Sequence, residues 1–319
     1  MPSPEFREVR THLLRARWCR ARTQAVGAPT PPAGSASCPA VRRYTRAAMP
    51  ADQRAHLDHL DRIYSDRHYG LYAELERSSN PTGPQSLHEL ATTLLTPDSR
   101  ILDAGCRDAA HLVHLVRSND CRGVGIDPLR WHVERAVAAV NGNDLGDRVR
   151  IEQGVIEHIP HPPGSFDLIW CRDVLTLVSD LDAAAAEFAR VLAPEAHAII
   201  YLNVATDLME PREAERINGP LGNVAESMNR ERVERAFAGA GLAVAQVREV
   251  GTEWREYEEE TTRPVSDGLL KLARLRRRRA EIVARYGQET YDTAEASLHW
   301  LPYQLLGKLN PLIYVLRHA

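Results

Sequence analysis

Asp103 and Asp127 stand at the ends of two short apolar runs, "RILD" at 100–103 and "GVGID" at 123–127, and Gly105 follows the first. A carboxylate at a strand end can accept hydrogen bonds from a cationic amine. A second carboxylate at the next strand end, about 20 residues past the glycine, can take both hydroxyls of a ribose. Gly105 can adopt backbone angles that other residues avoid and lets a ligand approach the main chain. The amides that open a helix favour a negative group such as a carboxylate, and Asp108 is suited to cap that helix. Together these residues suit a nucleoside that carries an amino acid. A plainer reading also stands: Gly105 makes a tight turn, Asp103 caps something local, and Asp127 caps the next helix with Pro128 at its first position. Asp127 can serve both roles, since a carboxylate has about four acceptor sites.

The elements that would position these residues alternate along the chain. "RILDAG" reads as a strand and "AAHLVHLVR" as a helix; "RGVGID" is a strand and "LRWHVERAVAAVN" a helix. "RVRIEQG" and "FDLIWC" are strands, "DLDAAAAEFARVL" a helix, "AHAIIYLNV" a strand, "RERVERAFAGAGL" a helix and "AVAQVREV" a strand. Such alternation indicates an α/β protein with a Rossmann-like, doubly wound and mostly parallel sheet. A long helical stretch then leads to "NPLIYVLR", an expected antiparallel last strand. The expected organisation is a leader at 1–48, N-terminal helices at 49–97, a cofactor-binding core at 98–251, a helical insertion covering the site at 252–308 and a final strand at 309–319.

The ordered series "ILDAGCRDA", "GVGIDP" and "GVIEHIPHPPGSFDLIWCRDVLTLVSDLDAAAAEFARVLAP" resembles the class I S-adenosylmethionine-dependent methyltransferases, most nearly those with a "methyltransferase type 11" domain. The resemblance covers roughly residues 98–205 and implies S-adenosyl-L-methionine as cofactor. The family's glycine-loop positions fall on Asp103, Gly105, Arg107 and Ala109, with Cys106 between, and its ribose acid falls on Asp127 beside Pro128. Its adenine contacts fall on Val155, Ile156 and Glu157, and a contact to the cofactor's amino-acid part falls on Arg172. The chain departs from the pattern where Arg107 and Ala109 replace loop glycines; Arg107 can obstruct the cofactor or pair with its carboxylate. Val155 stands where an acid usually accepts from the adenine amino group, leaving Glu157 as a substitute. "PEA" at 194–196 replaces the usual "PGG", and "WCRD" stands where enzymes acting on amino groups of bases or glutamine carry Asn/Asp-Pro-Pro-Tyr/Phe.

The function implied is methyl transfer to a small-molecule acceptor, at O or N rather than C, by in-line displacement. The cofactor's methyl group is already activated, so the protein mainly positions the acceptor. A base is needed only where the acceptor must lose a proton. His299 is the expected base, and Tyr64, Tyr69, Trp254, Tyr257, Trp300 and Tyr303 are expected to face the substrate, although amphipathic helices also bury aromatics as packing. His111 and His114 are three apart without a third ligand, so no metal is expected.

Composition narrows the partners. The 319 residues are 44% hydrophobic with a net charge of −3, which favours no particular polyion. "RLRRRRAE" at 274–281 reads as a solvated helix face, so no nucleic acid is expected. No run reaches the roughly 18 apolar residues of a membrane span. Five cysteines without a CxxC pair suggest a reducing compartment and a cytoplasmic protein. Residues 1–48 carry nine arginines against two glutamates, around "GAPTPPAGSAS". This composition suits a disordered, dispensable leader; a transit peptide or translated upstream sequence ahead of a start at Met49 would look alike. Two other functions remain open from sequence. One is a non-catalytic module with a degenerate loop. The other is a nicotinamide-dependent oxidoreductase, whose G-x-G-x-x-G reads "GCRDAA" here. Oligomeric state is not legible.

Overall fold

Seven apolar runs form one sheet. The computed structural model describes residues 49–319, and the expected leader at 1–48 lies outside them. The strands are β1 (Arg100–Ala104), β2 (Arg122–Asp127), β3 (Val149–Gln153), β4 (Phe166–Arg172), β5 (Leu192–Ala205), β6 (Leu242–Glu249) and β7 (Leu309–His318), in the order β3-β2-β1-β4-β5-β7-β6. Neighbours from β3 to β5 pair in parallel, and β7 runs antiparallel to both β5 and β6. Except at their first residues, β1 and β2 are buried on both faces, as parallel strands between helical layers must be.

The helices supply those layers. In α4 (Ala110–Asn119), Leu112, Val113, Leu115 and Val116 fall on one side of the helix and are buried. Each such side chain contributes about 1.5–3 kcal/mol on leaving water. α5 (Arg130–Gly142) turns Ala136 and Val140 inward, and α6 (Leu181–Val191) buries Leu181, Ala184, Ala185, Phe188 and Val191. α8 (Arg230–Gly239) closes the same face as α6 through Val233, Ala236 and Phe237. α3 (Ser86–Thr92) belongs with these layers, since Leu87 and Ala91 share a core cluster with Leu112 and Val116.

The strand order reverses at β1: β2 and β3 lie to one side, and β4 returns on the other. Beyond the carboxyl ends of β1 and β4 a parallel sheet leaves a crevice. Register decides what faces it. Asp103 pairs with Gly125 on β2 and with Trp170 on β4. Side chains alternate along strands, so Asp103, Asp127, Trp170 and Arg172 project from one face, which Tyr201 of β5 continues as the register partner of Arg172.

Three features depart from or extend the sequence reading. β5 begins at Leu192, absorbing "PEA", and a bulge between the Phe166 and Leu168 pairings takes up the extra residues. The segment after β5, unassigned from sequence, holds α7 (Pro211–Leu221), with proline in its first turn and a Glu210–Glu213 capping box. The stretch 252–308 holds α9 (Glu253–Thr261), α10 (Pro264–Arg277), α11 (Arg279–Tyr286) and α12 (Gln288–Leu305). Because β5 and β6 are both antiparallel to β7, β6 ends at the same edge as β1, β2 and β4. The inserted helices therefore leave and re-enter the sheet at the crevice edge.

The chain divides into units 1–74 and 75–319. In the first, α1 (Ala51–Ile63) and α2 (from Asp66, ending at Leu75) bury no residue. His68 meets the Tyr64 and Tyr69 rings edge-on at 5.9 and 5.6 Å. Among the described residues no helix is long and apolar enough to cross a membrane.

Trp254, expected to face a substrate, is instead fully buried and stacks on Tyr201 at 5.0 Å between ring centroids. The indole is the anchor that seats α9 against the sheet. Trp254→Ala is expected to cost about 3–5 kcal/mol of stability in urea unfolding, as large aromatic deletions in cores do. An unchanged midpoint would contradict this placement.

Candidate functional site

The turn after β1 is built from three left-handed residues at alternate positions. Gly105 has φ +84°, Arg107 +51° and Ala109 +57°. A Cβ on Gly105 would lie 2.3 Å from Val174 Cγ2, so this glycine is required by space as well as by angle. The conformation aims amides back at β2: Gly105 N and Cys106 N donate to the Ile126 carbonyl at 2.8 and 2.9 Å. Arg107 N donates to Asp127 Oδ2 at 3.0 Å. The left-handed angle at Ala109 delays the helix, which begins at Ala110 with no side-chain cap; Asp108, expected as cap, reaches only Ala110 N at 3.4 Å.

Asp127 also accepts from Leu129 N at 2.9 Å and from His132 Nδ1 at 3.0 Å, both on Oδ1. The helix after β2 therefore starts at Arg130 with Leu129 at the cap, and Pro128 lies ahead of the first turn. Three of about four acceptor sites on Asp127 are filled from within. His132 is only partly buried and can yield a second site to an incoming hydroxyl.

Asp103 is buried, and its pKa is pushed up to about 7, first by burial and then by the Asp127 carboxylate; the Leu112 amide and Arg172 oppose the shift. Burial likewise pushes the Cys106 thiol upward, with Asp103 adding to it, so this cysteine is an inert neutral group.

These residues open onto one cavity of about 580 Å³. Its wall follows the strand order. Val155, Ile156 and Glu157 come after β3, and Asp127, Pro128, Leu129 and His132 come from β2 and the helix beyond. Asp103, Gly105, Cys106, Arg107 and His111 come from β1 and its turn, and Trp170, Arg172 and Asp173 from β4. Three strand spacings make this groove about 15 Å long. The cofactor residues expected from sequence thus line it, apart from the loop position Ala109, which is buried.

Asp173, unassigned from sequence, holds φ +57° and accepts from Asn203 Nδ2 at 2.8 Å. Its side chain is open to the cavity, yet the protein packed around it raises its pKa to about 6, against the pull of Arg172. Gln304 of α12 donates to Asn203 Oδ1 at 2.6 Å, so the inserted helices buttress this carboxylate through one intermediary.

Of the expected acceptor-side residues in the second unit, Trp254, Tyr257, His299, Trp300 and Tyr303 are not among those that line the cavity. His299 is 7% exposed; its Nδ1 donates to the Glu295 carbonyl at 2.6 Å and its Nε2 accepts from Arg276 at 3.2 Å. Neither nitrogen is left to act as a base. Trp300 and Tyr303 pack around Ile217 and Leu309, and the Tyr303 hydroxyl accepts from Arg216 at 2.9 Å. Tyr257 is half-buried on α9, outside the wall. Tyr64 and Tyr69 lie in the first unit, 59% and 62% exposed. Among the described residues, no group of His, Cys, Asp or Glu is arranged for a metal ion.

Residues 102–200 match a family described as "Methyltransferase domain". The chain is 26% identical over 192 residues to 27-O-demethylrifamycin SV methyltransferase of Amycolatopsis mediterranei, spanning 59% of this chain and 71% of that one. It is 29% identical over 131 residues to ajmaline N-methyltransferase of Rauvolfia serpentina, spanning 39% of this chain and 44% of the relative, less than half its length. Its fold is similar to geranyl diphosphate C-methyltransferase of Streptomyces coelicolor A3(2), solved with Mg2+, geranyl diphosphate and S-adenosyl-L-homocysteine. That likeness has a TM-score of 0.55 at 16% identity and covers 74% of this chain and 79% of that one.

The loop's left-handed angles hold with or without glycine, which bears on stability. Arg107 is exposed, so a glycine there would forfeit no buried side chain. Arg107→Gly is expected to raise unfolding free energy by about 1 kcal/mol, the cost of a left-handed non-glycine residue. A loss of stability on denaturant titration would show that the guanidinium, not the backbone, sets this position.

Proposed function

We propose that this chain, whose residues 102–200 match a methyltransferase domain, is an S-adenosylmethionine-dependent enzyme that methylates O or N of a small-molecule acceptor bound beside the 580 Å³ cavity. The observation that carries the reading is the projection of Asp103 and Asp127 from one sheet face into that cavity.

The residues present fit the cofactor. A groove running from β3 to β4 presents an apolar segment with Glu157 after β3, a ribose-binding carboxylate at β2 and an amine-binding carboxylate at β1. In this reading Val155, Ile156 and Glu157 hold the adenine, Asp127 with Pro128 the ribose, and Asp103 the ammonium. Gly105, Cys106 and Arg107 let the main chain approach, and Arg172 faces the amino-acid end. S-adenosylmethionine supplies, when bound, a methyl group already activated by its sulfonium. What remains for the protein is to orient the acceptor in line, which can supply about 7–11 kcal/mol of the barrier.

Asp173 takes the role expected of His299. It opens onto the cavity past the end of β4, and with its pKa near 6 it is ionised at neutral pH. It can accept the proton an O–H or N–H acceptor must release. The inserted helices, leaving and returning at this edge, cover the acceptor side. The degenerate-loop alternative loses its main support, because Arg107 and Ala109 keep left-handed angles at the positions of the missing glycines. Buried free thiols at Cys106, Cys121 and Cys171 support the cytoplasmic part of the reading.

Asp103 links affinity to pH. In the free protein it takes up a proton as pH falls through about 7, while an ammonium ligand needs the carboxylate. Affinity for S-adenosylhomocysteine is therefore expected to rise up to about tenfold per pH unit between pH 5.5 and 7, then level off. Calorimetry checks this, and a flat profile would contradict it. Because the folded pKa lies above the unfolded value of 3.8, the contribution of Asp103 itself to the free protein's stability falls as pH rises from about 4 to 7.

Incubation with methyl-labelled cofactor and a small-molecule cell extract is expected to yield O- or N-methyl products. Asp173→Asn should slow that transfer by about 10²–10⁴-fold while leaving homocysteine-cofactor affinity within about threefold. Labelled C-methyl products, or no transfer at all, would overturn the proposal.

A further inference from the structure

Past the β4 end of the cavity lies a second recess of about 230 Å³. Pro84, Gln85, Leu87 and His88 wall it, and it shares His111, Trp170 and Arg172 with the larger cavity. Its outer wall is held in place. Thr82 donates to Glu253 Oε1 of α9 through its amide at 2.9 Å and its hydroxyl at 2.6 Å, and Ser78 Oγ donates to Glu260 at 2.7 Å. His88 lies parallel to Trp170, with ring centroids 5.3 Å apart, so the recess has flat aromatic walls.

Two of the donors here, Arg172 Nε and the Trp170 indole N–H, lack an acceptor. Arg172 can only donate, and its NH1 bonds His111 Nε2, so His111 is neutral and accepts there. Its proton is then on Nδ1, which donates to His88 Nε2 at 2.9 Å. Burial first, then Arg172 for His111 and His114 for His88, holds both rings uncharged, with pKa values lowered to about 3 and about 4. The histidine chain thus fixes the guanidinium without neutralising it. Asp103 and Asp173 feel Arg172 at longer range, and its guanidinium lies 5.5 Å from the Tyr201 ring centroid. Arg172 Nε is buried with no partner, and so is the indole N–H of Trp170. A cation and a buried N–H left unmatched beside an apolar recess call for an anion with a flat body.

We propose that this recess is the acceptor subsite and that it takes a small aromatic carboxylic acid, its carboxylate bound by Arg172 and its ring lying against Trp170 and Leu87. The proposal rests on the cofactor reading above and names its acceptor class. The large cavity's β3 end is committed to the adenosine, which leaves the β4 end, where the recess opens, for the methyl acceptor. Arg172 has five N–H donors, enough to serve the cofactor's amino-acid end and the acceptor together. His88 and His111 act as positioning residues for it.

Titration of the protein saturated with S-adenosylhomocysteine tests this. The probes are salicylate, 4-hydroxybenzoate and 3,4-dihydroxybenzoate, each paired with the corresponding benzyl alcohol. At least one acid is expected to bind ten times or more tightly than its alcohol. Gln85→Trp, which fills the recess from its exposed rim, should abolish acid binding and leave S-adenosylhomocysteine affinity unchanged. Equal binding of acid and alcohol, no binding of any acid, or acid binding that survives Gln85→Trp would overturn the proposal. Failure of S-adenosylhomocysteine itself to bind would instead sink the cofactor reading on which it rests.

Discussion

Two carboxylates held on one buried sheet face repel each other and have lost much of their water, and this tension organises the site. Parallel register sets it up: Asp103 pairs with Gly125, and Asp127 lies two residues further along the same strand. The fold relieves one of the pair internally, giving Asp127 two backbone amides and an imidazole N–H. Asp103 has less relief, and burial together with the neighbouring Asp127 charge raises that carboxyl to about 7. A buried acid kept short of partners gains most from an incoming cation. The amine of an amino acid is such a cation, and a ribose suits the acceptor sites at Asp127.

The rest of the site follows from keeping that face open and aligned. Gly105, Arg107 and Ala109 hold left-handed angles so that successive amides turn toward β2 rather than into the crevice. Gly125 stays small because a Cβ would lie 2.9 Å from both Cys106 Sγ and Ile151 Cδ1. At the other end, the Arg172–His111–His88 chain fixes a cation where β4 stops, and the Asp173–Asn203–Gln304 chain ties the opposite wall to α12. The groove thus runs from two acids at the ends of β2 and β1 to the Arg172 cation at the end of β4.

Much of the binding wall was legible in the sequence because it is local. A strand, its terminal acid and the turn after it occupy consecutive residues, so Asp103, Gly105 and Asp127 could be read from type and spacing. The acceptor side was not legible, because it depends on which helix face packs where. Trp254, Trp300 and Tyr303 have the spacing of groove-lining aromatics but serve as packing between inserted helices and the sheet. His299 has the type of a base, but a backbone carbonyl and an arginine occupy both its nitrogens. Asp173 was hidden in "WCRD", where only a left-handed angle turns its side chain to the cavity. His88 sits 23 residues from His111, and only the docking of α3 on α4 makes them neighbours.

The claim beneath all of this is a division of labour, in which Asp103 holds the amino-acid end and Asp127 the nucleoside end of one ligand. Calorimetric titration of wild type and Asp103→Asn with S-adenosylhomocysteine and with 5′-methylthioadenosine, which lacks the amino-acid part, tests it most directly. The account predicts that the substitution weakens S-adenosylhomocysteine at least thirtyfold, about 2 kcal/mol, and leaves methylthioadenosine within about threefold. Equal losses for both ligands, or none for either, would contradict it.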